Sequence, residues 1–129
     1  MSTRANIVIK DNYSKLWFYR HSDGYPETTA ESLGVFMSWL RSGMIRDNTG
    51  QAAGWLIILG NSEYDQGRTP NKEDNFSGWK VGAYEPTTGI HGDIEYLYEI
   101  DLEKQTLRCF DTWTAKGVGK NEINLKELA

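Results

Sequence analysis

Trp17-Phe18-Tyr19-Arg20-His21-Ser22-Asp23-Gly24-Tyr25-Pro26-Glu27 is where the chain changes from one kind of structure to another. An aromatic, apolar run stops at Arg20 and His21, Asp23-Gly24 supplies a left-handed turn, and Pro26 presets the backbone for what comes next. The stretch reads as the end of a strand, a turn and the opening of a helix. It delivers an arginine, a histidine and an aspartate to the strand end, a position suited to meeting an anion or a polar partner.

On the N-terminal side, Ala5, Ile7 and Ile9 alternate with Asn6, Val8 and Lys10, the pattern of a strand with one face in the core. Ser2-Thr3-Arg4 leads straight into it, so this end is expected to be tied to the sheet. Asp11-Asn12-Tyr13-Ser14 is a turn cluster, and Lys15–His21 is the second strand of a hairpin. Leu16 and Phe18 share one face of that strand and Trp17, Tyr19 and His21 the other, so it is expected to be central and covered on both sides.

On the C-terminal side, Thr28 and Glu31 have capping-box spacing, and Gly43 stands where a helix would end. Between them Ala30, Leu33, Met37 and Leu40 recur at helical spacing, widened by Val35, Phe36 and Trp39, which predicts a helix over 28–42. A second helix is predicted from Thr49 to Leu59, capped by Asp47 or Asn48 and ended by Gly60-Asn61. A buried strand at Trp55–Leu59 is the competing reading, since a short apolar run fits either. Asn61–Ser77 is polar, with Tyr64 and Phe76 its large apolar residues, and reads as a long loop, either solvated or functional. Strands are predicted at Trp79–Tyr84, Asp93–Asp101 and Thr106–Trp113, the last two joined by a turn near Glu103-Lys104. Residues 115–129 form a polar tail, with a short strand or helical turn at Ile123–Leu128.

The expected fold is a single α+β domain over 1–129, with a mainly antiparallel sheet of about five strands and two helices on one face, in the order β-β-α-α-β-β-β. Hydrophobic residues at 39% and charged residues at 25% are ordinary for a globular chain of 129 residues. Five tryptophans and seven tyrosines are unusual, and such rings serve both cores and binding surfaces. A net charge of -4 speaks against broad nucleic-acid binding, which needs a basic face. The lone Cys109 forms no internal disulfide and reads as a buried structural thiol. No stretch reads as a signal peptide or a membrane span, so a cytoplasmic location is expected.

The opening Ser2-Thr3-Arg4-Ala5-Asn6-Ile7 and the motif Tyr19-Arg20-His21-Ser22-Asp23-Gly24-Tyr25-Pro26 resemble a family of uncharacterised phage and prophage proteins. Its members begin Met-Ser-Thr-Arg and carry Tyr-x-His-x-Asp-Gly-Tyr-Pro after the first hairpin. His91-Gly92-Asp93-Ile94-Glu95-Tyr96-Leu97-Tyr98 is similar to that family's late aromatic strand. Ser22 stands where members commonly have Trp, which removes a ring that could stack there. The resemblance implies a phage context, in the cytoplasm of a bacterial host, where small accessory proteins bind and blunt host defence components.

The chemistry rests on two histidines, each two residues before an aspartate, in His21-Ser22-Asp23 and His91-Gly92-Asp93. If their strands are neighbours, both could face one site with Arg20 or Arg4. Two imidazoles and a cation suit phosphodiester cleavage, as proton acceptor, proton donor and charge stabiliser. The same histidines with Asp23 and Asp93 could hold a divalent metal. In the plainer reading, Asp23 caps the turn and His21 fixes the corner between strand and helix. Arg4, Arg20, His21, Asp23, Tyr25, His91 and Asp93 are thus the candidate ligand contacts, and His21 and His91 the catalytic pair if the chain is an enzyme. There is no phosphate loop, Cys-x-x-Cys or Gly-x-Ser-x-Gly; Gly117-Val118-Gly119-Lys120 lacks phosphate-loop spacing. The sequence therefore favours a binding protein over an enzyme, calls for no metal or cofactor, and leaves two partners open, a host protein or a small anionic, nucleotide-like ligand. An exposed aromatic sheet face would also make a homodimer easy.

Overall fold

The computed structural model describes residues 3–65, 82–111 and 121–125, without the side chains of residues 64 and 65. Strands β1 (Ala5–Lys10) and β2 (Lys15–Arg20) form a hairpin, followed by helices α1 (Pro26–Arg41) and α2 (Thr49–Asp65). Then come β3 (Glu85–Thr87), β4 (Tyr96–Asp101), β5 (Thr106–Asp111) and β6 (Asn121–Ile123). They make one sheet in the order β3-β2-β1-β4-β5-β6, with β1 and β4 parallel and every other pairing antiparallel. The α+β class, the helix pair and the mainly antiparallel sheet are as expected, with six described strands in place of about five.

Both helices pack on one face of the sheet. Ala5, Ile7 and Ile9 meet Phe18 from β2, Tyr98 and Ile100 from β4 and Cys109 from β5 there, under Leu33, Phe36, Met37 and Leu40 of α1 and Ala52 and Leu56 of α2. Asp11 joins the hairpin turn to α2, accepting from the backbone N–H of Tyr13 and Ser14 at 2.8 Å each and of Thr49 at 3.3 Å. These bonds hold its carboxyl below the ordinary carboxylate range. Burial pushes the Cys109 thiol up to about 12, as fits an inert structural cysteine.

Several boundaries move for identifiable reasons. Helix α1 starts at Pro26, and the Thr28–Glu31 capping box is not used: Tyr25 is the N-cap, without a side-chain bond, and its carbonyl accepts from Thr29 N–H at 3.0 Å. Proline at the first helical position has no N–H to leave unsatisfied, which favours the earlier start. Gly43, at φ 78°, ends the helix as expected. Residues 55–59 are helical, capped by Asn48, whose Oδ1 accepts from Gln51 N–H at 2.9 Å.

That second helix runs through Gly60-Asn61 to Asp65, so residues 61–65 are not loop. Gly60 is present for close approach: a Cβ there would stand 2.8 Å from Tyr84 Cδ2 and 3.0 Å from the Tyr84 backbone nitrogen. The expected strand at 79–84 is displaced accordingly. Ala83 N–H bonds to Gly60 C=O at 3.2 Å, so Ala83 and Tyr84 dock on the helix and pairing begins only at Glu85. Residues 66–81, with the rest of the expected loop and the start of that strand, lie outside the described residues, as do 112–120 and 126–129 of the strand end and tail. The ladder of β4 begins at Tyr96, not Asp93, and β2 lies second from the edge, with only its C-terminal half buried. Replacing Gly60 with alanine is expected to cost about 1–3 kcal/mol by overpacking against Tyr84, read as a lower urea midpoint.

Candidate functional site

The site lies on the sheet face away from the helices, and strand alternation decides what reaches it. Asn6 opposes Tyr19 on one side and Leu97 on the other, while Glu85 of β3 opposes Tyr19 and Thr87 opposes Trp17. The connection from β3 to β4 must cross β2 and β1, because β3 sits at the sheet edge and β4 beyond β1. It crosses on this outward face. Asn6, fully buried, anchors it: the amide Nδ2 donates to Phe18 C=O at 2.8 Å and Gly89 C=O at 3.4 Å, and Oδ1 accepts from His91 N–H at 2.7 Å. Glu95 N–H closes the crossing on Arg4 C=O at 2.9 Å.

The crossing lays His91 on Tyr19. The two rings stack, with centroids 3.9 Å apart at an interplanar angle of 19°. His21, two residues along β2, meets the same Tyr19 ring edge-on at 4.4 Å and 88°. Both histidines of the chain therefore contact one tyrosine ring, and the two imidazoles are no farther apart than those two distances together.

Polar partners fix each member. His21 Nε2 is 2.7 Å from Glu85 Oε2, and His91 Nε2 is 2.8 Å from Thr87 Oγ1. Tyr19 Oη donates to both Asp93 oxygens, at 2.9 and 2.8 Å, and Arg4 Nε stands 3.5 Å from Asp93 Oδ2. Tyr19 is buried while His21 remains 61% exposed, with Glu85, Asp93 and Arg4 about half exposed around it. The arrangement is a rigid aromatic centre inside an open ring of polar groups, two carboxylates against one guanidinium.

Burial first, and then the Asp93 carboxylate, push the Tyr19 phenol up to about 12, and burial does the same to Tyr84. A folded-state value above the ordinary 10.0 means that the unfolded chain loses these protons first. Their contribution is complete below pH 10 and is lost as pH rises through 12, and Cys109 behaves alike from its ordinary 9.0 upward. Stability is therefore expected to start falling above pH 9 and to fall more steeply above pH 10, followed by circular dichroism beside tyrosinate absorbance.

Of the expected contacts, His21, His91, Asp93 and Arg4 come together. Arg20 does not join them. Its pairing with Ala5 puts it on the helix side of the sheet, where its side chain is fully buried, paired with Glu63 of α2 and lying 5.2 Å above the Tyr84 ring. An arginine between Tyr19 and His21 in a strand must point away from both. Asp23 adopts a left-handed φ of 57° and offers its backbone carbonyl to Thr29 Oγ1 at 2.8 Å, while Tyr25 caps α1; both stand in the corner, outside the cluster. Gly24 is held there by space, since a Cβ would lie 2.9 Å from both Ala5 Cβ and Thr3 O.

Set against protein-family models, curated proteins and solved structures, the chain matches none. Among the described residues no group of three or more His, Cys, Asp or Glu side chains is arranged to hold a metal ion, and no helix is long and apolar enough to cross a membrane. Tyr19, Asn6, Glu85 and Thr87 are the site residues that sequence reasoning missed. Tyr19 was signalled by sharing a strand face with His21; an asparagine at position 6, between Ala5 and Ile7 in the strand, was a weaker sign. Glu85 and Thr87 carried none.

Proposed function

We propose that the chain is a binding protein, a phage accessory factor that acts in the cytoplasm of a bacterial host by occupying a host defence component. Its contact surface is the face built on Tyr19, His21 and His91. The observation that carries this reading is the pair of imidazoles packed on one buried tyrosine ring and ringed by half-exposed Arg4, Glu85 and Asp93. Rings already held in place give contact area with little entropy left to lose, and an ionic rim supplies selectivity. A protein surface fits better than a small anion, because Glu85 and Asp93 already engage His21 and Arg4. Capture from host lysate, with native mass spectrometry for retained small molecules, tests the reading. A specific protein partner is expected; recovery of neither a protein nor a nucleotide-like ligand overturns it.

One observation favours a second reading, a small phosphodiesterase: the two histidines do share a site. Against it, each Nε2 already has a partner, and Arg4, the cation that remains once Arg20 is removed, sits on Asp93. Cleavage of a chromogenic phosphodiester that His21→Ala or His91→Ala abolishes, with a bell-shaped pH profile, would establish that reading over the first.

A further inference from the structure

His91 reaches Tyr19 from the connection between β3 and β4, outside the strands, and polar bonds rather than close packing set its course there. Among the described residues, no atom beyond the adjoining ones comes within 4 Å of where a Cβ would stand at Gly89 or Gly92. Ile90, between Gly89 and His91, is 53% exposed. The middle of the crossing is held from beneath, where the Asn6 amide meets Gly89 C=O at 3.4 Å and His91 N–H at 2.7 Å. The imidazole's own bond, Nε2 to Thr87 Oγ1, joins it to the strand that the crossing leaves, not to the strands that it crosses.

The chemistry of these bonds calls for an amide. Asn6 Nδ2 faces two carbonyls, of Phe18 and Gly89, and must donate, while Oδ1 faces an N–H and must accept. A carboxylate there would set a charge against both carbonyls. An aliphatic side chain of similar size would offer His91 N–H nothing. Asparagine is disfavoured in strands and costly to bury, so a position between Ala5 and Ile7 that had only to fill space has better choices. Asn6 is also fully buried, which keeps it from touching a partner itself.

We propose that Asn6 is the positioning residue of the histidine face. Its amide sets the crossing so that His91 lies on Tyr19, and partner affinity depends on it through His91. The effect on affinity rests on the contact surface proposed above; the effect on His91 involves no partner.

Asn6→Leu, which removes both halves of the amide at similar volume, tests this by proton NMR on the full chain. Carbon-bound protons of a ring lying face-on over another are shielded by it, so the stack is read directly once His91→Ala has assigned the imidazole signals. At the same pH, the His91 Cε1 proton is expected to lose that shielding, while the His21 signal, carried by β2 itself, stays in place. A general loosening of the fold would move both. The wild-type chain supplies an arm without substitution: its His91 amide should exchange with solvent at least about tenfold more slowly than an unbonded amide. Against the captured partner, Asn6→Leu should lose affinity to within about twofold of His91→Ala, and the combined variant should lose no more than about twofold beyond either. A His91 signal still shielded in Asn6→Leu, or a His91 amide exchanging at the unprotected rate, overturns the proposal. Full affinity in Asn6→Leu with His91 released removes Asn6 from recognition. Failure to capture a partner counts against the contact surface alone, since the NMR and exchange arms use none.

Discussion

Replacing Glu63 with alanine is expected to cost the fold about 3–5 kcal/mol, the loss typical of stripping one partner from a buried ion pair. The Arg20 side chain is fully buried, its NH1 lies 3.1 Å from Glu63 Oε1 and its second amino group pairs with the other oxygen. A guanidinium does not shed its proton to escape burial, so without Glu63 it stays charged with less to balance it. Arg20 Nε also donates to Ser22 C=O at 2.9 Å, so the pair ties α2 to the corner where β2 ends. The double replacement Arg20→Met with Glu63→Leu should recover most of the loss, because it removes both charges and keeps the volume. Urea unfolding of the three variants measures this; a single variant within about 1 kcal/mol of wild type would show that the pair does not hold the corner.

The second large effect concerns recognition. His21→Ala combined with His91→Ala is expected to weaken binding of the captured partner at least about 30-fold, roughly 2 kcal/mol, the scale of an interface hot spot. Stability should change little through His21, which is exposed, and by about 0.5–1.5 kcal/mol through the lost stack of His91 on Tyr19. Tyr19→Phe keeps the ring and loses only the bonds to Asp93, so its effect on affinity should be several-fold smaller. Titration calorimetry on the folded variants reads both. Equal affinity in wild type and the double variant would move the contact elsewhere.

The local grammar of the chain was legible in its sequence wherever one residue type does one job. The strand at Ala5–Lys10, the turn at Asp11–Ser14, the left-handed Asp23 and the terminating Gly43 all read through to the structure, although the strand is buried on both faces where its alternation promised one, because Asn6 and Val8 are covered too. Gly60 misled because a glycine that ends a helix and one that admits a neighbouring ring look the same in one dimension; only Tyr84 distinguishes them. Arg20 misled differently. Grouping it with His21 by adjacency ignored the period of two that the same strand had already revealed, and that period sends it to the core. The meeting of His21 and His91 depended on a connection that crosses two strands, and no spacing encodes the face on which a loop will cross. Asn6, whose side chain gathers that crossing, shows how a single buried amide can carry topology.

The most direct measurement uses the fact that the chain has two histidines, so its imidazole Cε1 protons give two assignable NMR signals. Titrating the captured host partner into the folded protein should shift or broaden both signals, along with those of the Tyr19 ring, in proportion to the fraction bound. If the partner saturates the protein while both imidazole signals stay where they were, the Tyr19–His21–His91 face is not the contact surface.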